Sequence, residues 1–254
     1  MNRRSFLRAG ALGAAALGLS ACRVLDRDTA LRRAMAAANG LTYRAQRALG
    51  GGRTLAPEYS RADIRQGMRP NGSTDPDDPA YAALRDGGFA GYRLSVTGLV
   101  ERPISLSLAD LRAMPVRSQI TRHDCVEGWS CIAEWTGTPL GRVLDIARPK
   151  PAARYVVFHC FDTVERSLSG AVTYYESHDL IDAWHPQTIL AWGMNGARLP
   201  VANGAPLRLR VERALGYKQA KYIRGIELAD SLLPFGGGRG SYWADRGYDW
   251  YAGI

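Results

Sequence analysis

The chain has 254 residues, of which 46% are hydrophobic, 22% are charged and 9% are aromatic. This composition is that of a globular protein with a sizeable core, and it excludes a multi-pass membrane protein or a disordered chain. The formal net charge is +9. The arginines are nevertheless spread along the chain and form no basic block with interleaved aromatic residues, which argues against nucleic-acid binding.

The first 22 residues are predicted to be an export signal. Residues Asn2 to Arg8 form a twin-arginine signature, and a short hydrophobic stretch of small residues follows from Ala9 to Leu19. Leu19-Ser20-Ala21-Cys22 resembles a bacterial lipobox, in which Cys22 becomes the acylated first residue. An ordinary cleavable signal with an incidental cysteine is the alternative. We therefore expect a periplasmic protein, exported already folded and anchored to a membrane by lipid at Cys22.

Three cysteines follow the signal: Cys125, Cys131 and Cys160. In an oxidising compartment an odd number indicates a free thiol or a metal ligand. One ligand together with a Cys131–Cys160 disulfide would account for all three, but the sequence leaves that pairing open.

Residues 26–49 are predicted to form a helix, because apolar residues recur at helical spacing and Gly50-Gly51-Gly52 follows. This helix lies in a predicted linker, residues 23–52, which precedes one domain at residues 53–254. The start of that domain, residues 53–91, is rich in turns, with four prolines and Asn71-Gly72. An irregular segment of this length in a compact domain is often functional.

The rest of the domain is predicted to be rich in strands. Strands are expected at residues 92–97, 118–121, 154–160, 171–175, 207–211 and 221–228, with helices at residues 107–113 and 178–184. Thr138-Pro139 is predicted to cap and open a helix that continues to Ile146. Residues 188–192 and 199–201 flank Asn195-Gly196, the strongest hairpin signal. Many strands with few, short, peripheral helices predict an α+β fold.

The segment Arg122-His123-Asp124-Cys125-Val126-Glu127-Gly128-Trp129-Ser130 places a cysteine among charged and polar neighbours. Reactive or metal-bound cysteines need surroundings of this kind, because they favour the thiolate, whereas structural cysteines usually lie among aliphatic residues. Gly128 allows a close approach of the backbone. A buried, inert cysteine is the alternative interpretation.

Cys-Val-Glu-Gly-Trp-Ser is similar to the molybdenum-ligand segment of the sulfite oxidase superfamily of molybdopterin-dependent oxidoreductases. Three further blocks support the resemblance, in the order and spacing of that family: residues 190–200, 203–208 and 216–221. The resemblance extends from about residue 55 to about residue 250 and implies a single sulfite-oxidase-type molybdopterin-binding domain. The cysteine segment is most similar to the branch of periplasmic protein-methionine-sulfoxide reductase catalytic subunits.

The resemblance assigns roles to individual residues. Cys125 is implied to be the single protein ligand of molybdenum, since a soft thiolate suits that metal. The residues implied to hold the pterin and its phosphate are Asn71, Asn203, Arg208 and Lys221, together with the backbone at Gln219 and Ala220 and with either Cys160 or Asp162. A strand arginine facing solvent is the alternative for Arg208, and a simple turn residue is the alternative for Asn71.

The C-terminal segment Ser241-Tyr-Trp-Ala-Asp-Arg-Gly-Tyr248 resembles the segment that delivers an active-site tyrosine in sulfite oxidases. Tyr248 is the candidate for that role, and Arg246 is the candidate contact for a substrate oxyanion. Aromatic packing at a chain terminus is the alternative.

The implied activity is oxygen-atom transfer at a molybdenum centre, sulfoxide-reductase-like, with electrons exchanged with a separate haem-containing membrane subunit or cytochrome. The alternatives are a sulfite dehydrogenase and a non-catalytic periplasmic lipoprotein that keeps the fold as a binding module. A zinc site is disfavoured, because Cys125-x5-Cys131 misses the usual ligand spacing. A Cys-His hydrolase at Cys125 leaves the pterin-type blocks unexplained.

Overall fold

The computed structural model describes residues 29–50, 52–65, 67–167 and 170–254. The predicted export signal and lipobox, residues 1–22, lie outside the described residues. The chain divides into two compact units, residues 1–49 and residues 50–254. In the first unit, the helix predicted at residues 26–49 is observed as α1 (Thr29–Gly50). None of the helices in the described ranges has the length and apolar character that a membrane span requires.

The second unit, the body, is rich in strands, as predicted. Its strands are β1 (Arg93–Gly98), β2 (Ile104–Ser107), β3 (Arg117–Cys125), β4 (Trp129–Pro139), β5 (Tyr155–Ser167), β6 (Gly170–Asp179), β7 (Ile189–Met194), β8 (Ala197–Arg198), β9 (Arg208–Arg210) and β10 (Ile223–Ala229). Its α-helices are α2 (Pro79–Asp86), α3 (Leu108–Ala113), α4 (Leu140–Ala147) and α5 (Leu180–Ala183). Single 3₁₀ turns occur at Arg61–Asp63, Val201–Asn203, Gly216–Lys218 and Ala244–Arg246.

The strands form two sheets. The first has the order β2-β1-β10-β5-β6, in which β1 and β10 are parallel and the other pairs are antiparallel. The second has the antiparallel order β3-β4-β7-β8, and β9 also pairs with β7. Short helices between largely antiparallel strands confirm the α+β class.

Hydrophobic periodicity explains the regular elements. On β1, Leu94 and Val96 are fully buried while Arg93 and Ser95 are exposed, as the period of two requires. On α4, the buried residues Leu140, Val143, Leu144 and Ala147 share one face. Each buried aliphatic side chain of this kind contributes roughly 1.5–3 kcal/mol to stability. Both sets belong to the main hydrophobic cluster of the body.

The start of α4 differs from the prediction. Pro139 occupies the N-cap position, where no side chain accepts a hydrogen bond from the helix. The hydroxyl of Thr138 instead donates to the carbonyl oxygen of Leu111 at 2.7 Å. Thr138 therefore ties α4 to α3 and does not cap the helix, because β4 continues to Pro139 and directs the hydroxyl away from the first turn.

The hairpin predicted at Asn195-Gly196 is confirmed, and both residues have positive φ, 50° and 77°, as a type I′ turn requires. Its second strand is only Ala197–Arg198, the strand predicted at residues 199–201 is not observed, and a 3₁₀ turn follows at Val201–Asn203. Strand β4 was not predicted at all. Three consecutive residues, Ala133, Glu134 and Trp135, are buried, so the sequence lacks the expected alternation.

Candidate active site

An open cleft with a cavity volume of about 200 Å³ lies in the body beside the end of β3. The lining side chains fall into an aromatic and aliphatic set and a polar set. The first set is Val126, Val164, Tyr174, Tyr217, Trp243 and Tyr248; the second is Asn71, Ser73, Cys125, Glu127, Asp162, Gln219 and Lys221, with Gly72 and Gly216 between them.

Cys125 is the last residue of β3 and sits opposite Trp129 across the β3–β4 hairpin. The turn closes when the amide of Gly128 donates to the carbonyl oxygen of Cys125 at 3.1 Å. Gly128 has φ of 84°, a conformation that glycine adopts without strain. The thiol is 8% exposed and faces the cleft. The side-chain amide of Asn71 lies 3.9 Å from its sulfur, so two predicted site residues that are 54 positions apart in the sequence meet in the structure.

Glu127 is a cleft residue to which the sequence assigned no role. Its carboxylate accepts a hydrogen bond from the indole nitrogen of Trp129 at 3.0 Å and lines the cleft beside Cys125. The only sequence signal was its position two residues after the cysteine within the matched motif. The hairpin turn therefore places an acid next to the thiol.

Lys221 fixes the irregular segment that carries Asn71. Its ammonium group donates to the carbonyl oxygen of Asn71 at 2.6 Å and to that of Ser73. Burial, together with the charge of Arg208, lowers the pKa of Lys221 to about 8. The turn-rich segment predicted from residues 53–91 thus becomes one wall of the cleft. The side chain of Asn71 additionally contacts the Cys125 sulfur, which a simple turn residue need not do, and its role as a cofactor contact stays a prediction.

Asp162 reaches the cleft because β5 is irregular. Its pairing with β6 shifts between His159 and Thr163, and a bulge of this kind redirects side chains. Burial raises the pKa of Asp162 to about 6, against the opposing charge of Lys221. The sequence left Cys160 and Asp162 as alternatives, and the structure places Asp162 in the lining.

Cys160 and Ala220 do not line the cleft, in contrast to their predicted roles as cofactor contacts. Cys160 is 1% exposed in the main hydrophobic cluster, and burial raises the pKa of its thiol well above the usual range. Ala220 is 1% exposed, and its carbonyl oxygen accepts from the amide of Leu209. Both are held in the core by sheet and loop hydrogen bonding.

The three later cysteines are all free thiols in the structure. Cys131 belongs to β4 and Cys160 to β5, which lie in different sheets. The Cys131–Cys160 disulfide that the sequence left open is therefore not formed. Among the residues that the structure describes, no group of three or more His, Cys, Asp or Glu side chains is arranged to hold a metal ion.

Arg208 lies behind the cleft wall. It is 1% exposed, which overturns the alternative of a solvent-facing strand arginine. Its guanidinium donates to the carbonyl oxygen of Asn203 at 2.8 Å and stacks 4.8 Å from the ring centre of Trp135. Burial, followed by the charge of Arg210, lowers the pKa of Arg208 to about 9. The side chain of Asn203, 5% exposed, donates to the carbonyl oxygen of Met68 at 3.4 Å.

Arg210, two residues further along β9, has a carboxylate partner, unlike Arg208. It forms a fully buried ion pair with Glu212, donates toward Nδ1 of His123 at 2.9 Å, and stacks on the other arginine's partner, Trp135. Burial, followed by Arg210 and Arg208, lowers the pKa of His123 to about 2, so the ring is neutral. Gly216 permits this packing, since a Cβ there would lie 2.6 Å from Nε2 of His123.

Tyr248 lines the cleft, as predicted for the C-terminal tyrosine, and is 42% exposed. Its ring packs 5.2 Å from Tyr217 and 5.1 Å from Trp243. These two neighbours also line the cleft and had no assigned role. The same contacts satisfy the alternative of aromatic packing, so the catalytic role of Tyr248 stays a prediction.

Arg246 is not part of the lining. Its guanidinium binds both carboxylate oxygens of Glu165 and lies 3.6 Å from the ring centre of Tyr242. The Glu165 ion pair raises the pKa of Arg246. The guanidinium predicted to meet a substrate oxyanion is thus already paired with a carboxylate outside the cleft.

A buried polar network supports the turn at Gly216–Lys218. Lys218 forms an ion pair with Glu176, and both side chains are almost fully buried. The cleft residue Tyr174 donates to the carbonyl oxygen of Tyr217 at 2.5 Å and lies 3.5 Å from the Glu176 carboxylate. Burial raises the pKa of Glu176 to about 7, although Lys218 opposes the shift. The network fixes the turn from which Gln219 and Lys221 reach the cleft.

The arrangement fits an anionic, multiply hydrogen-bonding cofactor. Among the residues that the structure describes, none provides a carboxylate to Arg208, and its buried Nε finds no hydrogen-bond partner there. Oε1 of Gln219 and Nε2 of His123 also lack one, although Gln219 lies close enough to bias the pKa of that ring upward. Buried polar groups without partners are costly, so a ligand that satisfies them gains affinity. A pterin phosphate and ring would supply such partners.

Comparison with known proteins agrees with this chemistry. A family model described as the oxidoreductase molybdopterin binding domain matches residues 83–233. The matched span contains Cys125, Asn203, Arg208 and Lys221 and ends before Tyr248.

Relatives and a solved structure extend the comparison. A protein of Azospira oryzae, provisionally named protein-methionine-sulfoxide reductase subunit YedZ1, is 35% identical over 99% of this chain and 87% of its own length. The protein-methionine-sulfoxide reductase catalytic subunit MsrP of Ralstonia nicotianae is 34% identical over 92% of this chain and 70% of its own. The chain spans about half the length of further relatives with the MsrP name. The sulfane dehydrogenase SoxCD of Paracoccus pantotrophus matches 56% of this chain and 39% of its own, at 23% identity and a TM-score of 0.49.

Proposed function

This chain belongs to the family of oxidoreductases with a molybdopterin-binding domain, and we propose that its reaction is the reduction of a neutral sulfoxide, of the methionine sulfoxide class. In that reaction one sulfoxide takes up two electrons and two protons, the sulfur–oxygen bond breaks, and a thioether and water leave. The names of the Azospira and Ralstonia relatives support this substrate class.

The observation that carries the choice of substrate is the character of the cleft wall. Four aromatic residues line it, namely Tyr174, Tyr217, Trp243 and Tyr248, and no arginine is among its described lining residues. The lining ammonium of Lys221 already donates to two backbone carbonyl oxygens, and Glu127 adds negative charge. An aromatic pocket of this charge suits a neutral sulfoxide with an apolar substituent. Its described lining residues offer no guanidinium that could bind the sulfite anion bidentately.

Different residues of the chain would bind different parts of the cofactor. The Cys125 thiolate is suited to bind molybdenum, and Asn71 lies where it can orient that sulfur. Gln219 and Lys221 would meet the pterin from the cleft wall, with Arg208 behind them providing positive charge for the phosphate. When bound, the cofactor supplies the oxygen-atom transfer and the two-electron exchange. The remaining side chains position the substrate and limit access of water.

Sulfite dehydrogenation is the second candidate. One observation favours it: Tyr248 lines the cleft, as expected for the tyrosine of sulfite oxidases. The reaction would run in the opposite sense, with sulfite gaining an oxygen from water and releasing two electrons and two protons. The paired state of Arg246 weighs against it, because the described lining residues include no other guanidinium, and their one ammonium group, that of Lys221, already donates to two carbonyl oxygens.

The location and the electron partner are part of the same proposal. The twin-arginine signature and the lipobox at Cys22 support export in the folded state and a lipid anchor on the periplasmic side. The word subunit in the names of the Azospira and Ralstonia relatives supports a separate redox partner. The haem-containing membrane subunit or cytochrome expected from the sequence would deliver electrons singly.

The test compares two assays on one preparation of cofactor-loaded protein. Reduced methyl viologen with methionine sulfoxide or dimethyl sulfoxide measures reduction, and sulfite with an artificial electron acceptor measures oxidation. We expect viologen oxidation that depends on sulfoxide, with little sulfite-dependent reduction of the acceptor. Activity with sulfite alone would overturn the proposed direction and substrate. Absence of both activities in protein that contains the cofactor would favour a non-catalytic binding module.

A further inference from the structure

Helix α1 carries charge of a single sign. Its 22 residues include four arginines, Arg32, Arg33, Arg44 and Arg47, and no aspartate or glutamate. At about 100° per residue, the last three of these arginines fall on one side of the helix. Arg33 and Arg44 are exposed, and the Arg47 guanidinium lies 5.1 Å from the ring centre of Tyr43 on the same side. This side is called the basic face below.

The opposite side of α1 is apolar and open to solvent. Met35, Leu41 and Leu49 are 58%, 64% and 90% exposed, and Ala38 and Ala45 lie between them on the same side, also exposed. These five residues define the apolar face. Large exposed apolar side chains are ordinary when single, but an aligned set along a helix indicates an interaction surface.

We propose that α1 lies flat on the surface of an anionic phospholipid bilayer, with its apolar face in the headgroup boundary and its basic face on the water side, close enough for the arginines to be attracted by the negative surface charge. A helix with an apolar side, a cationic side and little overall hydrophobicity is typical of interfacial helices. Each arginine near an anionic surface strengthens binding roughly fivefold, from about 1 kcal/mol per charge.

Charge complementarity selects the lipid over a second copy of the helix. A second copy of α1 would also carry four arginines and no acidic residue, so neither helix would offer the other a charge partner. The alanines at positions 38 and 45 would also leave a shallow seam. An anionic bilayer satisfies both faces at once.

The proposal does not depend on acylation of Cys22 or on the proposed enzymatic activity. It assigns residues 29–50 a role in holding the chain close to the membrane, where a membrane-embedded electron donor would work. A negative viologen assay would therefore not contradict the membrane proposal. A negative result for the membrane proposal would likewise not contradict the enzymatic one.

Hydrogen–deuterium exchange of the full chain tests the proposal, because the readout is local to residues 29–50. The probe is vesicles of phosphatidylglycerol, compared with vesicles of phosphatidylcholine. We expect the α1 amides to be protected by phosphatidylglycerol only, while peptides of the body are unchanged. In Arg33→Gln/Arg44→Gln, the lipid concentration for half-maximal protection should rise roughly 25-fold. The matched control Arg142→Gln/Arg166→Gln removes the same amount of positive charge from the body. It should change the lipid concentration for half-maximal protection by less than about twofold.

The apolar face is tested by Met35→Glu/Leu41→Glu, which should abolish the protection of α1 even if residues 1–28 still bring the chain to the vesicles. Circular dichroism and thermal unfolding of the variant establish that the body is folded. Equal protection by both lipids, protection that survives this variant, or protection that appears with protein concentration in the absence of vesicles would each overturn the proposal. The last result would indicate a second copy as the partner.

Discussion

Replacing Arg208 by methionine distinguishes two effects of the buried charge, its effect on protein stability and its effect on cofactor binding. Arg208 is 1% exposed, has no carboxylate partner, and leaves Nε without a hydrogen bond. Methionine has similar length and no charge. We expect the variant to lose the cofactor while the cofactor-free protein stays folded.

The magnitude follows from the pKa. Burial lowers the pKa of Arg208 from 12.5 to about 9, which corresponds to a cost of roughly 5 kcal/mol for keeping the guanidinium charged. The hydrogen bond to Asn203 contributes about 1.5–3 kcal/mol in the other direction. Stacking on Trp135 contributes about 2 kcal/mol. These contributions nearly cancel, so Arg208→Met should change the free energy of unfolding of cofactor-free protein by no more than about 1–2 kcal/mol.

Arg210→Met on the same strand is the matched control. It leaves the fully buried Glu212 without its partner, which should cost about 3–5 kcal/mol. Urea denaturation of both cofactor-free variants gives the two free energies, and molybdenum and pterin content of protein made with the cofactor pathway intact gives retention. The reasoning is refuted if Arg208→Met keeps the cofactor, or if it destabilises the cofactor-free protein as much as Arg210→Met does.

Three further predictions concern residues of the cleft and of the polar networks around it. Lys218→Met should cost about 3–5 kcal/mol in urea denaturation at pH 8, because Glu176 is left buried and unpaired, and adding Glu176→Leu should recover most of the loss. The pKa of His123 is about 2 in the folded protein and 6.5 in the unfolded chain. Below pH 6.5 the unfolded chain therefore binds a proton at this ring that the folded protein does not bind, and the free energy of unfolding decreases as the pH is lowered. In His123→Gln, stability should therefore decline less steeply than in the wild type, by roughly 1.4 kcal/mol per pH unit between pH 6 and 4; equal slopes would contradict the neutral ring. Trp243→Ala should raise the KM for a sulfoxide roughly tenfold, because apolar contact with the substrate is lost. Arg246→Gln should change kcat/KM by less than about twofold. A larger effect from Arg246→Gln than from Trp243→Ala would indicate that Arg246 contacts the substrate.

The sequence predicts the position of Cys125 at the end of a strand because local spacing carries it. Cys125 ends a strand and precedes a glycine turn, and both features are observed. Asn71 and Lys221 lie 150 residues apart, yet each stands in a recognisable block. The resemblance therefore predicts their proximity, although nothing local in either block does.

Residues whose environment depends on tertiary packing are less predictable. Arg208 and Arg210 alternate with leucines and so indicate a half-exposed strand, but β9 has only three residues and Trp135 covers both guanidinium groups. Asp162 lies in the cleft because the pairing of β5 is irregular there, and the sequence around it contains no turn residue from which the irregularity could be predicted. Arg246 is removed from the cleft by Glu165, a partner 81 residues away. In each case a contact between distant segments overrides the local pattern.

The identity of the metal ligand is the central claim, and the molybdenum content of three cysteine variants tests it most directly. Wild-type protein made with the cofactor pathway intact should contain about one molybdenum per chain. Cys131→Ser and Cys160→Ser should retain it, because neither thiol lines the cleft, and Cys125→Ser should contain none while remaining folded. Molybdenum retained in Cys125→Ser, or folded wild-type protein with neither molybdenum nor pterin, would contradict the assignment.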